Sequence, residues 1–379
     1  DLATDWGKVL VQGYKEGGIL PKWPLASSYT GCMVGYPAVS VLADLVAKDL
    51  AEGDMSTWAE AGARSSVYRE DLAEKFKGTR ELDLITMHPY YKEKYGFVPA
   101  DSVPESVSWG LEMAYEDWCI SQIAKKAGNM ELANEYAKKA EYYKRYLDPE
   151  TKMMRPVMGD GSFRTPFNPR YSSHMKSDYT EGNAFQWSFF APHDMDNFIA
   201  AIGGKKELET RLDTLFTTSS QIDGAEASGD ITGLIGQYAH GNEPSHHMAY
   251  LYNWTDSPWK GQGYLDYIMQ NFYTNEPDGI IGNEDCGQMS AWYVMSALGF
   301  YQVSPGIPVY TLGRPMVNKA SMHVKGGIFE IVATNNNPAN KYVKEVKLNG
   351  KVLETPFISH SDIINGGKLE FIMTDQPVK

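Results

Sequence analysis

Apolar residues recur with a helical period along most of this 379-residue chain. One run covers 107–118 and stops at Gly128 and Asn129, and the next covers 132–147 and stops at Asp148 and Pro149. A short break that contains glycine, placed between two amphipathic helices, predicts an antiparallel helical hairpin.

The same pattern continues beyond this hairpin. The further apolar runs are 195–202, 208–215, 258–272 and 288–297. The connecting segments are long, polar and rich in glycine, proline and aromatic residues: 86–104, 152–180, 219–244 and 273–287. No fixed repeat length occurs, which argues against a short-repeat solenoid. Repeated hairpins with long loops are typical of an α/α toroid, so we expect residues 1–304 to form a mainly α domain whose loops build a cleft.

The pattern changes to strand-like alternation after Pro305. The predicted strands are Val309–Leu312, Ser321–Val324, Ile328–Ala333, Val343–Leu348 and Lys368–Met373. The turn signals between or beside them are Gly326-Gly327, Asn349-Gly350 and Gly366-Gly367. A β segment over residues 305–379 with so few strands would leave open edges, so we expect it to pair with strands from elsewhere.

Composition and charge exclude some classes of partner. The formal net charge of −13 argues against nucleic acid, because an acidic surface repels phosphate backbones. No stretch approaches the roughly 18 apolar residues of a membrane span. Aromatic residues make up 12% of the chain, with 9 Trp and 24 Tyr. Such rings serve as stacking platforms in sugar-binding clefts, and a large helical core uses them equally well.

The first segment with candidate chemistry is 179–187, in which Glu181 follows a long loop and precedes a helix. A carboxyl group held among aromatic rings is desolvated, and desolvation raises its pKa toward that of a general acid. The alternative is that Glu181 only interacts favourably with the positive end of the helix dipole.

The second segment, 240–247, holds three His, one Asn and one Glu. The H-E-x-x-H pattern of a zinc helix does not occur here and no Cys lies near, which argues against zinc. The oxygen donors of Asn242 and Glu243 suit calcium better. The alternative is a polar helix start whose histidines are satisfied within the protein.

The third segment, 278–288, interleaves three acidic residues with glycines ahead of a helix. The spacing of an EF-hand loop does not occur. Asp285 is either a helix N-cap or a functional carboxylate. Glycoside hydrolysis requires two carboxyl groups, and Glu181 and Asp285 could supply them if the fold joins positions so far apart in the sequence.

Several motifs in these segments together resemble the α-mannosidases of glycoside hydrolase family 92. The central ones are Tyr-Thr-Glu-Gly-Asn-Ala (179–184), Ala-Pro-His-Asp (191–194), His-Gly-Asn-Glu-Pro-Ser-His-His (240–247) and Gly-Asn-Glu-Asp-Cys-Gly-Gln-Met-Ser-Ala-Trp-Tyr (282–293). Further similar stretches are 18–23, 106–119 and 296–301. The resemblance therefore extends over nearly the whole chain.

The resemblance implies an N-terminal β-sandwich joined to an (α/α)6 barrel, with C-terminal strands that return to the sandwich. The family's sandwich and first barrel helices, including a Trp-Asp-Thr motif, are missing before Asp1. We therefore expect the chain to be one part of a longer enzyme, with an incomplete barrel and an incomplete sugar pocket.

The resemblance also implies an inverting exo-mannosidase that uses one calcium ion. By motif match Glu181 is the general acid and Asp285 the general base, and such a pair lies roughly 6.5–9.5 Å apart. Asn283 stands where relatives often carry an Asp that assists the base. Calcium contacts the mannose 2- and 3-hydroxyls in the family, and we expect Asn242, Glu243 and Asp285 in its neighbourhood.

Other residues are expected to bind the sugar. In addition to Asn242 and Glu243, they are Trp187, His240 and Tyr36. Relatives usually carry Gly-Asp where this chain has Gly35 and Tyr36, and that Asp contributes to sugar binding. Tyr36 is therefore expected to alter substrate choice or to weaken activity.

The function expected from these motifs is removal of terminal mannose from mannose-rich glycans, as in N-glycan degradation. The α-1,2 linkage is favoured because it is a frequent target in the family, and the substrate class places the enzyme outside the cytoplasm, in a bacterial periplasm or on the cell surface. Two alternatives stay open: another hydrolase or a phosphorylase on a similar toroid, and a non-catalytic glycan-binding relative. The three segments offer no Arg or Lys for the phosphate of a phosphorylase.

Overall fold

The computed structural model describes residues 2–25 and 28–378, which fall into two compact units. The first unit contains Asp1–Met195, Ile222–Ala227 and Pro305–Ile307, and the second contains Asp196–Gln221, Ser228–Ser304 and Pro308–Lys379. Within the described ranges, every helix is too short or too polar to cross a membrane. The boundary expected between residues 304 and 305 stays a prediction.

The first unit is built mainly of helices. They are α1 (Leu2–Gly17), α2 (Ala38–Ala47), α3 (Met55–Ser65), α4 (Glu70–Lys75), α5 (His88–Tyr95), α6 (Ser106–Lys126), α7 (Met130–Lys139) and α8 (Ala184–Trp187). Turns of 3₁₀ helix cover Arg80–Leu84, Ala140–Arg145 and Pro192–Asp194. A short antiparallel pair, β1 (Pro24–Leu25) and β2 (Ser28–Tyr29), is also present.

Helix α6 is the buried centre of the first unit and contacts α2, α3, α5 and α7. Its residues are apolar or small on almost every side, which is the pattern of a helix surrounded by protein. Gly110 is needed because a Cβ there would collide with the hydroxyl of Tyr146. That hydroxyl accepts the N–H of Val98 at 2.7 Å, so the glycine lets a buried hydrogen bond form.

The predicted hairpin of α6 and α7 is confirmed. Helix α6 ends at Lys126, Gly128 adopts a φ of +77°, and the Asn129 side chain caps α7 by accepting the N–H of Leu132 at 3.1 Å. Glycine reaches a left-handed conformation without steric cost and Asn is a favourable N-cap, so the break occurs at the two residues that the sequence indicates.

The second unit combines helices with most of the strands. The helices are α9 (Met195–Ile202), which starts at the last residue of the first unit, α10 (Lys205–Thr217), α11 (Pro258–Asn271), α12 (Gln288–Leu298) and α13 (His360–Ile364). The strands are β3 (Leu234–Ile235), β4 (Tyr238–Ala239), β5 (Phe300–Tyr301), β6 (Val309–Leu312), β7 (Lys319–Val324), β8 (Gly327–Thr334), β9 (Tyr342–Leu348), β10 (Lys351–Val352), β11 (Phe357–Ser359) and β12 (Gly367–Thr374). Turns of 3₁₀ helix cover Glu243–Ser245 and Met248–Trp254.

The strands of the C-terminal segment form two sheets, in which they pair with one another and, through β6, with β5 just before the segment. One sheet has the order β10-β9-β12-β8-β7, and β12 runs parallel to β8 while the other pairs are antiparallel. The other has the order β11-β6-β5. All five predicted strands are confirmed. The sequence did not indicate the short strands β10 and β11 or helix α13.

A single apolar core joins these two sheets to the end of α12. It contains Phe329, Ile331, Leu369 and Phe371, each 0% exposed, and Met295 and Leu298 of α12 pack against it. Because alternate residues of β8 and β12 point to the same side, one face of the five-stranded sheet supplies most of this core. The packing fixes the end of α12, whose beginning carries the third candidate segment.

Candidate active site

The first turn of α6 holds the loop that leads to Glu181. The Ser106 hydroxyl donates to the Asp178 carboxylate at 3.0 Å, and the Thr180 N–H donates to the Ser108 hydroxyl at 2.8 Å. All four of these residues are buried. Since buried hydrogen bonds of this kind are costly to break, they fix the backbone immediately before Glu181.

Glu181 itself adopts a left-handed backbone conformation, with φ at +47°. Non-glycine residues occupy this region only where their surroundings enforce it, and they cluster at functional sites. The helix that follows is capped by other residues. The Asn183 side chain accepts the N–H of Phe185 at 2.9 Å, and the Gln186 side chain accepts the Asn183 N–H at 2.7 Å. The half-buried Glu181 carboxyl is therefore not the helix cap.

Trp187 lies beneath the turn that carries Glu181. Its indole N–H donates to the carbonyl of Thr180 at 2.8 Å, and only 2% of the residue is exposed. Gly182 packs on the same ring, since a Cβ there would approach the indole nitrogen at 3.1 Å. The ring thus supports the turn from inside, and its predicted contact with a sugar stays a prediction.

Tyr36 lies in a buried polar cluster of the first unit and is 3% exposed. Its hydroxyl donates to the Asp117 carboxylate and accepts a bond from the Lys92 ammonium at 3.2 Å. Lys92 and Asp117 also form an ion pair at 3.0 Å. The Tyr36 N–H donates to the Glu116 carboxyl at 2.7 Å. The expected influence of Tyr36 on substrate choice stays a prediction.

Two carboxyl groups one turn apart on α6 favour their protonated forms. Burial raises the pKa of Glu116 well above its ordinary 4.5, and the nearby Glu112 charge raises it further. Burial also raises the pKa of Glu112, to about 8. The Tyr36 N–H bond acts in the opposite direction and stabilises the Glu116 carboxylate.

In the second unit, His240 is buried and both of its ring nitrogens are engaged. The Tyr238 hydroxyl donates to Nδ1 at 2.8 Å, and Nε2 donates to the Tyr273 hydroxyl at 2.7 Å. Tyr273 in turn donates to the Met289 carbonyl at 3.2 Å. Burial lowers the His240 pKa well below 6.5, so the ring is neutral. Its predicted contact with a sugar stays a prediction.

A hydrogen-bond chain leaves one amide oxygen in this region without a partner. Nε2 of His246 donates to the His240 carbonyl at 2.9 Å, and burial lowers the His246 pKa to about 4, so Nδ1 is an acceptor. The Gln288 amide N–H donates to that Nδ1 at 3.0 Å. This bond fixes the amide group, whose Oε1 atom is buried and has no hydrogen-bond partner. Such an oxygen can accept a hydrogen bond from a water or bind a ligand, and leaving it unpaired is costly.

Adjacent acidic residues at the start of α12 have different environments. The Glu284 carboxylate accepts the N–H groups of Gly287 at 2.5 Å and of Ser290 at 3.3 Å. A hydrogen bond from the Ser290 side chain, together with these N–H groups, lowers the Glu284 pKa. Asp285 is exposed and has a φ of +52°. The capping role considered for Asp285 therefore belongs to Glu284, and the Asp285 side chain stays available for chemistry.

Asn283 lies in the same loop and is exposed. Its amide N–H donates to the Asp230 carboxylate at 3.4 Å, and the Ser228 hydroxyl donates to the same carboxylate at 2.6 Å. The loop before α12 is thereby linked to the segment that precedes β3.

The donor atoms around this loop fit calcium by type. Asn242 is 7% exposed, Glu243 is half-buried, and the unpartnered Gln288 oxygen adds an amide donor. Calcium binds carboxylate and amide oxygens, so this is the kind of donor set that it requires. Among the described residues, no three His, Cys, Asp or Glu side chains converge on one point.

Sequence reasoning identified the segments but not every residue that matters in them. The sequence indicates Gln288 only as the start of a helix and does not distinguish Glu284 from Asp285. The signal that could have indicated the role of Gln288 is a Gln in the first turn of a helix in a chain that also has a His-rich segment. Nothing in the sequence distinguishes the two neighbouring carboxylates, because the distinction depends on backbone conformation.

These features define a class of protein. Glycoside hydrolysis uses a pair of carboxyl groups, and Glu181 and Asp285 each adopt a left-handed conformation shortly before a helix. The chain belongs to glycosyl hydrolase family 92: the sequence profile described as the catalytic domain of that family matches residues 1–375.

Solved structures of the family agree with this assignment. A family 92 α-mannosidase from Bacteroides thetaiotaomicron, solved with mannoimidazole, is 38% identical and matches the whole chain with a TM-score of 0.88. An inverting family 92 mannosidase from the same bacterium is 31% identical over 98% of the chain, with a TM-score of 0.83. Because family 92 structures have a helical toroid as catalytic domain, the predicted fold class is confirmed.

The chain spans about half the length of these relatives. It covers 48% of the first α-mannosidase and 50% of the inverting mannosidase. A protein of Arthroderma benhamiae described as an uncharacterized secreted glycosidase is 23% identical over 96% of this chain and 48% of its own length.

Proposed function

We propose that this chain carries the catalytic part of an inverting exo-α-mannosidase, which depends on calcium and removes terminal mannose from mannose-rich glycans. The observation that carries the proposal is the backbone at Glu181 and Asp285. Both residues adopt left-handed conformations, and the adjacent helices are capped by other side chains. Membership of the family and the likeness to two α-mannosidases support the choice of mannose.

In the proposed reaction Glu181 is the general acid and Asp285 is the general base. The protonated Glu181 carboxyl donates its proton to the glycosidic oxygen as the bond from that oxygen to C1 breaks. The Asp285 carboxylate removes a proton from water, whose oxygen attacks C1 from the opposite face and inverts it. Asn283 orients the base or the water through its amide. The burial of Thr180 and Trp187 beneath Glu181 keeps the acid in position.

Asn242, Glu243, Asp285 and Gln288 are the proposed calcium ligands. When bound, the ion would hold the mannose 2- and 3-hydroxyls and favour distortion of the ring toward the planar transition state. The neutral His246 fixes the Gln288 amide so that its oxygen, rather than its nitrogen, is presented. Trp187, His240 and Tyr36 are proposed to complete the sugar site.

The active enzyme is proposed to include more than this chain. A β-sandwich portion, equivalent to the half of the relatives that the chain does not cover, would complete the pocket beside the helical part (1–304) and the β segment (305–379). The substrate class and the secreted relative support a site of action outside the cytoplasm, in a periplasm or on the cell surface. The α-1,2 linkage is the proposed target.

A second candidate function is glycan binding without hydrolysis. It is favoured by one observation, the Tyr side chain at position 36, whose hydroxyl is bound to Asp117 instead of being presented to a ligand. The two candidates differ in outcome, because only the enzyme releases free mannose.

The test is mannose release from a mannose-rich N-glycan, with calcium and with a chelator, alone and with the β-sandwich portion added. We expect calcium-dependent release, and we expect Glu181→Gln to reduce its rate by roughly a hundredfold or more, since Gln cannot donate the proton. Unchanged release by the variant would disprove the acid assignment. Binding of the glycan without release under any of these conditions would support the second candidate.

A further inference from the structure

A groove of about 420 Å³ lies in the second unit between α11 and the beginning of β9. It contains none of the residues assigned to the reaction. Its walls are set by the contact of α11 with β9, where the Val343 N–H donates to the Gln262 side chain at 2.9 Å. This volume is in the range of small-molecule sites.

Four aromatic residues line the groove: Trp259, Tyr264, Tyr267 and Tyr342. The rings of Trp259 and Tyr342 meet edge to face with centroids 6.3 Å apart, and Tyr264 is fixed by stacking on Phe216 at 3.9 Å. Tyr267 is 49% exposed. Rings at right angles make a corner that can contact both a face and an edge of a saturated six-membered ring, and Trp and Tyr lose little conformational entropy in doing so.

The polar groups of the groove are mostly neutral or neutralised. The Lys260 ammonium pairs with Glu209 and Asp213 at 2.6 Å each. The Asp266 carboxylate pairs with Arg314 at 3.1 Å. A third charged group, the Lys341 ammonium, lies over the Tyr342 ring, 5.4 Å from its centroid. Charges engaged within the protein select an anion or a cation only weakly, so the lining favours an uncharged ligand.

Side-chain amides lie at one end of the groove. The Asn271 amide donates one N–H to the Tyr267 carbonyl at 2.7 Å, and the Gln270 amide donates one to Asp266 at 2.9 Å. Each amide has a second N–H and an oxygen for further hydrogen bonds. Amides that both donate and accept match pairs of neighbouring hydroxyl groups.

Gly263 keeps the groove open. It lies in the middle of α11, where glycine costs roughly 0.5–1 kcal/mol relative to alanine. Packing does not demand it, because a Cβ would meet Tyr342 only at an ordinary 3.9 Å. A larger side chain at this position would extend into the groove beside the Tyr342 ring.

We infer that this groove is a second carbohydrate-binding site, which holds a mannose-containing chain of the substrate by stacking pyranose rings on Trp259, Tyr267 and Tyr342. The identity of the sugar rests on the proposed function, whereas the rings, the amides and the neutral lining point to a polyhydroxylated ligand. Such a site retains the enzyme on a branched or polymeric glycan between successive cleavages.

The experiment measures retardation in gels that contain yeast α-mannan, with Glu181→Gln as the parent so that the ligand is not consumed. We expect Tyr267→Ala and Gly263→Leu each to weaken the affinity about tenfold, the effect of losing one central aromatic contact. Tyr90→Ala, at a tyrosine of similar exposure in the first unit, is the matched control and should bind like the parent. Thermal melting of each variant checks the fold.

Two results would overturn the inference. One is equal retardation of the parent, Tyr267→Ala and Gly263→Leu. The other is a parent that the mannan does not retard, or a groove that binds a peptide or a glucan in preference. Hydrolysis of an aryl α-mannoside by the unaltered chain, with and without the β-sandwich portion, is measured separately, so that failure of the proposed function is distinguished from failure of the groove.

Discussion

Glu284 and Asp285 are adjacent acidic residues, and the backbone conformation places their side chains in different environments. Glu284 satisfies the N–H groups of Gly287 and Ser290, so its carboxylate is committed to the start of α12. Asp285, with its φ of +52°, takes no part in that cap. A substitution at either position would affect the loop, and Asp285 is the one of the two that is proposed to act in the reaction.

Glu116 provides a prediction of pH-dependent stability at the residue scale. Burial raises the Glu116 pKa in the folded state. The contribution of Glu116 to the free energy of unfolding is therefore fully present below its pKa in the unfolded chain, about 4.5, and is lost as the pH rises toward the raised pKa. Glu116→Gln removes this dependence while keeping an oxygen for the Tyr36 N–H. We expect the variant to gain free energy of unfolding over the parent between pH 4 and pH 8, by more than the ~0.5 kcal/mol of a neutral surface change.

Denaturant unfolding at several pH values measures this difference. Glu354→Gln, at an exposed glutamate in a loop, is the control and should show the same difference from the parent at every pH. A free-energy difference for Glu116→Gln that does not change with pH would show that Glu116 titrates normally in the folded chain.

The hairpin of β9 and β10 shows how a turn sets strand register at the scale of elements. Leu348 pairs with Lys351, and the two residues between them, Asn349 and Gly350, have φ values of +52° and +79°. Positive φ at both positions is the requirement of a type I′ turn, which matches the twist of the strands it joins. The Asn-Gly pair in the sequence is therefore sufficient to predict this turn.

Gly350→Ala tests that requirement. A Cβ at Gly350 meets no atom within 4 Å, so the expected cost arises from the left-handed backbone alone and is about 1–2 kcal/mol of unfolding free energy. Gly229→Ala is the matched control, because a Cβ there also meets nothing and its φ is not in the left-handed region. Equal stability of the two variants in denaturant unfolding would contradict the assignment of the turn.

Long helices and strands were predictable from the sequence, and short ones were not. Helix α6, helix α12 and the five longer strands contain enough apolar positions for their hydrophobic pattern to identify them. Strands β10 and β11 have two and three residues, which is too short for any period to show. The Gln288 oxygen could not be predicted at all, since its orientation depends on the His246 tautomer and on a carbonyl of His240.

At the scale of the whole molecule, the two proposed catalytic residues lie in different units. Glu181 belongs to the first and Asp285 to the second. The motif match could propose the pair, because each residue lies in a distinctive segment. Their separation could not be predicted, because it depends on how distant parts of the chain are brought together rather than on local pattern.

The central claim is that these carboxyl groups hydrolyse an α-mannoside with inversion. Proton NMR of the anomeric region during the first minutes of hydrolysis of an aryl α-mannoside, with calcium and with the β-sandwich portion present, tests it most directly. An acid and a base that act on opposite faces release β-mannose first, and α-mannose then appears slowly by mutarotation. If α-mannose is the first product, the reaction retains configuration and Asp285 is not the general base of this enzyme.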